Sequence, residues 1–162
     1  MAKISIDISN CQDVLEFNAQ RFERAAESVF RDAGITEAKL SVAVVDDPAI
    51  HQLNNQFLQH DYPTDVLSFL LEREGERLEG EIVVSADTAI RTAANMGWTA
   101  DDELLLYVIH GALHLVGHDD ATPSERAAMQ MLEAHYLAEF GLARRDDGEA
   151  ISPQQNLDNK RT

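Results

Sequence analysis

Cysteine and positive charge are both scarce in this sequence. Cys11 is its single cysteine, which excludes an intrachain disulfide and a metal cluster held by cysteines alone, and is typical of a reducing cytoplasm. Lys and Arg number 13 against 29 Asp and Glu, so the net charge is −16. This charge disfavours non-specific binding to nucleic acid or to an anionic membrane, and we expect neither DNA nor a membrane as a partner. RNA met at a local positive patch is compatible with it.

Long hydrophobic runs are absent as well. The longest apolar stretch, from Leu104 to Gly117, is broken by two histidines, whereas a helix that spans a bilayer needs about 20 apolar residues. The first residues, Met1–Asp7, lack the apolar core of a signal peptide. We therefore expect a cytoplasmic protein, and 162 residues are enough for one domain with its own core.

Strand and helix patterns follow one another without regular alternation. This favours the α+β class, with a small mixed β-sheet of about four strands packed by several helices. The predicted strands are Lys3–Ile8, Lys39–Asp46, Val66–Leu71 and Glu81–Ser85, with the charged segment Glu72–Gly80 joining the last two. The predicted helices are Asp13–Asp32, Pro48–Phe57, Asp87–Met96, Asp101–Val116 and Pro123–Phe140. Apolar periodicity then fades, so residues 1–141 are predicted to form a single metallohydrolase-like domain and residues 142–162 a flexible C-terminal tail.

Two histidines make the helix Asp101–Val116 the chemical centre of the chain. His110 and His114 are four residues apart, which places both imidazoles on one face of the helix. Their neighbours are apolar, and burying two imidazoles without partners would cost about 1–3 kcal/mol each. Binding of a metal ion removes that cost. The pair therefore predicts two ligands of a metal site on a central helix.

A third ligand is expected shortly after His114. If the helix continued, His118 would share the same face, but it would lie about 12 Å from the first imidazole, too far for one ion. A turn at Gly117 instead lets a later residue swing back, which favours Asp120 and leaves His118 and Asp119 as alternatives. Three protein ligands leave a coordination position for water, which is typical of a hydrolytic rather than a structural zinc site.

The residue after the first histidine limits the classes of hydrolase that fit the sequence. Metalloprotease helices carry a glutamate there as general base, but this chain has Gly111, which disfavours a small metallopeptidase. Asp65 is the candidate catalytic residue, as a general base or as an acceptor for a ligand histidine. The alternative is that Asp65 only bonds amides of its turn. Thr64 and Ser68 are candidates for lining the same cleft.

Three segments resemble the YbeY family, bacterial endoribonucleases of rRNA maturation. The first is His110–Asp120, the second runs from Leu53 to Phe69 and contains Asp61–Asp65, and the third is Gly80–Val83. They occur in the family's order, and the resemblance covers about residues 5–140. It implies a small cytoplasmic α+β protein with one zinc ion per chain.

The resemblance also implies a function. It predicts a zinc-dependent endoribonuclease that cleaves single-stranded RNA, matures the 3′ end of 16S rRNA and takes part in ribosome quality control. The implied partners are rRNA and ribosomal subunits or assembly factors. By the same resemblance, His110 and His114 match the first two zinc ligands, and Asp120 stands where the family has a third histidine.

A second departure from the family lies at Leu58, where the family has an arginine important for function. Leucine cannot neutralise a phosphate. The alternative function is therefore a non-catalytic ribosome-assembly factor in which the metal only organises the fold.

Overall fold

The structure, a computed structural model, describes residues 3–145. Four strands and five helices lie in this part of the chain. The strands are β1 (Lys3–Asn10), β2 (Glu37–Val45), β3 (Val66–Glu74) and β4 (Arg77–Ser85). The helices are α1 (Ala19–Asp32), α2 (Asp47–Leu58), α3 (Ala86–Met96), α4 (Ala100–Leu115) and α5 (Pro123–Ala138). The predicted α+β class is confirmed.

The strands form one mixed sheet in the order β1-β2-β4-β3. β1, β2 and β4 are parallel, and β3 pairs with β4 in the antiparallel direction. The segment Glu72–Gly80, predicted to be a connection, belongs mostly to these two strands, which turn at Gly75 with a φ of 59°. Cross-strand pairing explains the error, because an exposed hairpin accepts charge and Arg77 bonds Glu72 across it at 2.8 Å.

The first helix begins later than predicted. The side chain of Asn18 accepts a hydrogen bond from the Gln20 amide and caps α1, whereas the sequence pattern placed the start near Asp13. Before the cap, the Gln12 side chain accepts from the amides of Val14 and Leu15 at 2.8 and 2.9 Å. Such local side-chain bonds compete with helical ones, so this segment stays irregular, although Leu15 and Phe17 still pack on the core.

Helices cover the two faces of the sheet unequally. On one face, α1 and α4 pack over the strands and enclose the main core. On the other face, α2 buries a smaller cluster made by Val45, Ile50, Leu67 and Val83. α4 also contacts α3 and α5, so it is buried on nearly every side. This central position explains why its sequence is apolar all round.

Residues 142–145, which follow α5, remain in contact with the domain. Leu142 packs against the main core, and Arg144 and Arg145 bond buried glutamates. Residues 146–162, which make up most of the predicted flexible tail, lie outside the described residues, and the domain boundary at 141 stays a prediction. Among residues 3–145, every helix is too short or too polar to cross a membrane.

Candidate metal centre

Two helices and the turn between them bring a histidine pair and a carboxylate together. His110 and His114 project from α4, and Asp120 follows the turn that leads to α5. The His110 Nε2 atom lies 3.4 Å from Asp120 Oδ2, and the His114 Nε2 atom lies 3.4 Å from Asp120 Oδ1. One donor atom from each residue lies within 4.8 Å of the other two. These three side chains form the candidate metal-ligand group.

The turn after α4 decides which downstream residue joins the histidines. Gly117 has a φ of 105°, a value that glycine adopts readily, and its amide donates to the carbonyl of His114 at 3.0 Å. The amide of His118 donates to the Leu113 carbonyl at 3.0 Å and closes the same turn. The His118 side chain is exposed and lies outside the candidate group, whereas Asp120 is only 8% exposed.

The start of α5 holds the other end of this turn. Thr122 caps the helix, with its side chain accepting from the amide of Glu125 while the Glu125 side chain accepts from the amide of Thr122. Arg126 reaches back from α5 and donates to the carbonyl of Ala121 at 3.2 Å. Asp120 therefore lies between two ordered helix ends, which restricts the positions its carboxylate can take.

Glu133 on α5 contacts the site and was not predicted from the sequence. Its Oε2 atom lies 2.7 Å from His110 Nδ1, and the residue is 2% exposed. Ligand histidines commonly donate their second ring N–H to a carboxylate, which fixes the tautomer and the ring orientation. A sequence signal existed, because Glu133 lies four residues from both Met129 and Leu137 and so interrupts a buried apolar stripe.

The donor set fits a divalent transition metal. The Nε2 atom of His114 is buried and has no hydrogen-bond partner within the described structure. An orphaned imidazole nitrogen is costly unless it coordinates an ion. Two imidazole nitrogens and one carboxylate oxygen are also ligands that zinc takes in open, three-ligand sites. The residues present therefore fit the metal that the sequence predicts, although the choice of His110, His114 and Asp120 as ligands stays a prediction.

The electrostatics of the group reflect close imidazole–carboxylate contact. Burial acts to lower the pKa of His110, but hydrogen bonds to Asp120 and Glu133 raise it to about 9. Burial acts to raise the pKa of Asp120, but the two imidazoles beside it bring it below its ordinary value. These directions favour a positive His110 beside negative carboxylates when no ion is bound.

Packing favours glycine at position 111, where metalloproteases carry a glutamate. A Cβ atom at this position would lie 3.0 Å from Cγ2 of Ile82 on β4, closer than side chains normally pack. At the next turn of α4, Leu115 packs over Gly80 of the same strand. In this protein, the position that holds the glutamate in metalloproteases therefore faces the sheet and not the candidate metal-ligand group.

Asp65 lies at the start of β3. Its carboxylate accepts from the amide of Val66 at 2.8 Å and from the hydroxyl of Thr64 at 3.3 Å, and its carbonyl accepts from the amide of Ser85. Thr64 is buried, and Ser68 is half-buried on the strand. Asp65 thus has the bonds of a turn residue, and its catalytic role stays a prediction.

Three further residues, one apolar and two charged, contact other parts of the domain. Leu58 packs against the small cluster under α2, so an apolar contact occupies the place where the resemblance expects an arginine. Arg21 pairs with Asp101 and Asp102, both at 3.0 Å. Glu103 is fully buried and accepts hydrogen bonds from the indole of Trp98 and from Arg145.

Comparison with known proteins decides the family. The family model described as endoribonuclease YbeY matches residues 7–141. The chain belongs to the YbeY family of endoribonucleases. The predicted family is therefore confirmed, and with it a metal-dependent endoribonuclease involved in rRNA maturation.

Individual relatives agree with the YbeY match. The chain is 42% identical over 138 residues to endoribonuclease YbeY of Rhodopirellula baltica, covering 84% of this chain and 71% of that one. It is 36% identical over 132 residues to endoribonuclease YbeY of Syntrophotalea carbinolica, covering 78% and 87%. The solution structure of TM1509 from Thermotoga maritima is similar with a TM-score of 0.58 and 26% identity, covering 91% of this chain and 99% of that one.

Proposed function

We propose that this YbeY-family chain binds one zinc ion through His110, His114 and Asp120 and cleaves single-stranded RNA, acting on the 3′ end of 16S rRNA. The convergence of three donor atoms within 4.8 Å, one of them an orphaned imidazole nitrogen, carries the proposal. We further propose that the protein works in the cytoplasm, on rRNA in ribosomal subunits or with assembly factors, as part of ribosome quality control.

Each residue of the site has its own proposed role. His110 and His114 would hold the ion with Nε2 and Asp120 with a carboxylate oxygen, and the chemistry that zinc supplies is Lewis acidity toward a phosphodiester oxygen or a water molecule. Glu133 keeps the ring of His110 turned toward the group. The His110 side chain is 21% exposed, so substrate can approach the group from that side. Asp65 is proposed as the general base.

Replacing a ligand tests this proposal directly. His114→Ala and Asp120→Ala should each lose stoichiometric metal, because two donors hold an ion much more weakly than three. Both variants should also lose cleavage of a fluorescent single-stranded RNA, down to the rate of chelator-treated wild type. Metal content is measured by mass spectrometry and cleavage by gel electrophoresis.

His118→Ala is the matched control, since His118 is an exposed histidine in the same turn. It should keep both metal and cleavage. The proposal is contradicted if wild-type protein carries no transition metal, or if His118→Ala loses metal while Asp120→Ala retains it.

Leu58 favours a second candidate function, a ribosome-assembly factor without catalysis. The leucine packs in an apolar cluster, and the net charge of −16 adds repulsion toward phosphate. Chelation separates the two functions when circular dichroism and RNA cleavage are measured together. Loss of cleavage with retention of fold supports the enzyme, and loss of fold in a protein that never cleaves RNA supports the assembly factor.

A further inference from the structure

A continuous line of charged contacts connects the end of the described chain to the metal centre. The Nε atom of Arg144 lies 2.7 Å from Oε1 of Glu133, and Oε2 of Glu133 lies 2.7 Å from Nδ1 of His110. The Glu133 side chain is only 3% exposed and that of Arg144 only 15%. The two oxygens of one carboxylate are therefore divided between an arginine on one side and a candidate ligand on the other.

We propose that Arg144 is a positioning residue of the metal centre, which acts through Glu133 to set the orientation of His110. This inference rests on the proposed function, because it requires His110 to be a metal ligand. Nothing in the family resemblance or in the sequence patterns pointed to Arg144, which was assigned to a flexible tail.

The first reason is geometric. A carboxylate held at one oxygen only can rotate about its terminal bond and turn its second oxygen away. Because Arg144 holds Oε1, Oε2 stays directed at Nδ1 of His110. The proton of the imidazole is then kept on Nδ1, and Nε2 presents its lone pair toward Asp120.

The second reason is charge. A histidine that coordinates a metal through Nε2 is neutral, so it cannot balance the negative charge of Glu133. A buried carboxylate without a cation is strongly destabilised. Arg144 supplies a permanent positive charge at hydrogen-bond distance, which keeps the carboxylate in place whether or not His110 holds an ion.

The neighbouring residue provides an internal comparison. Arg145 donates to both carboxylate oxygens of Glu103, at 2.7 and 2.9 Å. Glu103 is also buried, but it lies seven residues before His110, about 10 Å along α4, and it bonds Trp98. The Arg145 guanidinium therefore fastens the same segment to the domain through Glu103 and not through Glu133, the glutamate that bonds His110.

The test compares Arg144→Gln, Arg144→Lys and Arg145→Gln in the full chain. Zinc affinity is measured by competition with a chromophoric chelator, and ligand geometry by the visible spectrum of the Co²⁺-loaded protein. Arg144→Gln should weaken zinc binding by roughly 10- to 100-fold and change the Co²⁺ spectrum. Arg144→Lys should recover part of the affinity, because an ammonium group can still pair with Glu133. Arg145→Gln should lower the unfolding temperature and leave zinc affinity and the spectrum unchanged.

Two outcomes would overturn the inference alone. One is wild-type zinc affinity and an unchanged spectrum in Arg144→Gln. The other is an equal loss of affinity in Arg144→Gln and Arg145→Gln, which would assign the effect to general anchoring of the segment. A wild-type protein that binds no zinc would overturn the proposed function together with this inference, so the two failures are distinguishable.

Discussion

Asp120 places a full negative charge beside two imidazoles in a nearly buried position. It is 8% exposed, and its oxygens lie 3.4 Å from both Nε2 atoms. A carboxylate satisfies the geometry of a third ligand, but it also lowers the positive charge that a bound divalent ion presents to phosphate. We therefore expect the residue at this position to affect substrate binding as well as metal binding.

Asp120→His should keep the metal and tighten RNA binding. Removing one unit charge about 4 Å from a phosphate is worth about 1 kcal/mol in a watery environment, so KM for a short single-stranded RNA should fall about fivefold. Steady-state cleavage kinetics and metal analysis measure the two effects. Asp119→Asn is the control, since its carboxylate is 68% exposed and 4.0 Å from Nδ1 of His114. A KM that is unchanged in Asp120→His, or that falls equally in Asp119→Asn, would contradict this argument.

The position of α4 on the sheet depends on two close approaches. Gly111 lies against Ile82, and Gly80 lies under Leu115, so each element supplies one glycine at the contact. The helix can then lie close to β4. Because this close contact restricts sliding of α4, it also restricts the positions of His110 and His114. Packing of the element thus contributes to the precision of the site.

Gly111→Ala should destabilise the fold by about 1–2 kcal/mol, because overpacking of its new Cβ against Ile82 costs more than the roughly 0.5–1 kcal/mol that alanine gains over glycine inside a helix. The free energy of unfolding is measured by urea denaturation, with zinc affinity as a second readout that should fall as α4 moves. Ile82→Ala removes the opposing atoms, and the double variant should be more stable than the sum of the two single effects predicts. If the two single effects on the free energy of unfolding simply added in the double variant, the contact between residues 111 and 82 would not limit the position of α4.

At the scale of the whole molecule, Asp47 joins the two helices that follow β2 and β4. Its carboxylate accepts from Ser85 Oγ at 2.6 Å, Thr88 Oγ1 at 2.9 Å and Arg91 Nη1 at 2.7 Å. Burial acts to raise the pKa of Asp47, but these hydrogen bonds and the charge of Arg91 hold it below its ordinary value. Because the pKa is lower in the folded state, the stabilisation is present above the unfolded pKa and is lost as pH falls through the folded one.

Asp47→Asn should lower the free energy of unfolding by about 1–2 kcal/mol at pH 7, since it removes hydrogen bonds to a charged group. The difference from wild type should begin to shrink as the pH falls below about 4, the ordinary pKa of an aspartate, and should be smallest below the lower pKa of folded Asp47. Urea denaturation at a series of pH values measures both. Glu72→Gln, which breaks the exposed pair with Arg77, should change stability by no more than about 0.5 kcal/mol at any pH. A pH-independent effect of Asp47→Asn would contradict the linkage.

Local patterns were sufficient for much of the fold and for part of the site. Helical spacing predicted α4 and put His110 and His114 on one face, and β-branched alternation predicted β2. The predicted start of α1 was wrong because hydrogen bonds from the amides of Val14 and Leu15 to the Gln12 side chain hold the preceding segment out of the helix. Strands β3 and β4 were predicted too short at the turn between them, because the charged residues there are stabilised by pairing with each other across the strands.

By itself, the sequence determined the α+β class, the histidine pair and the family, since each depends on residue types at short spacing. Tertiary structure decided which downstream side chain returns to the histidines, through the turn at Gly117, and which residues support them. Glu133 is 23 residues from His110, and Arg145 is 42 residues from Glu103. Contacts over such separations depend on how helices pack, and neither periodicity nor charge pattern along the chain encodes that packing locally.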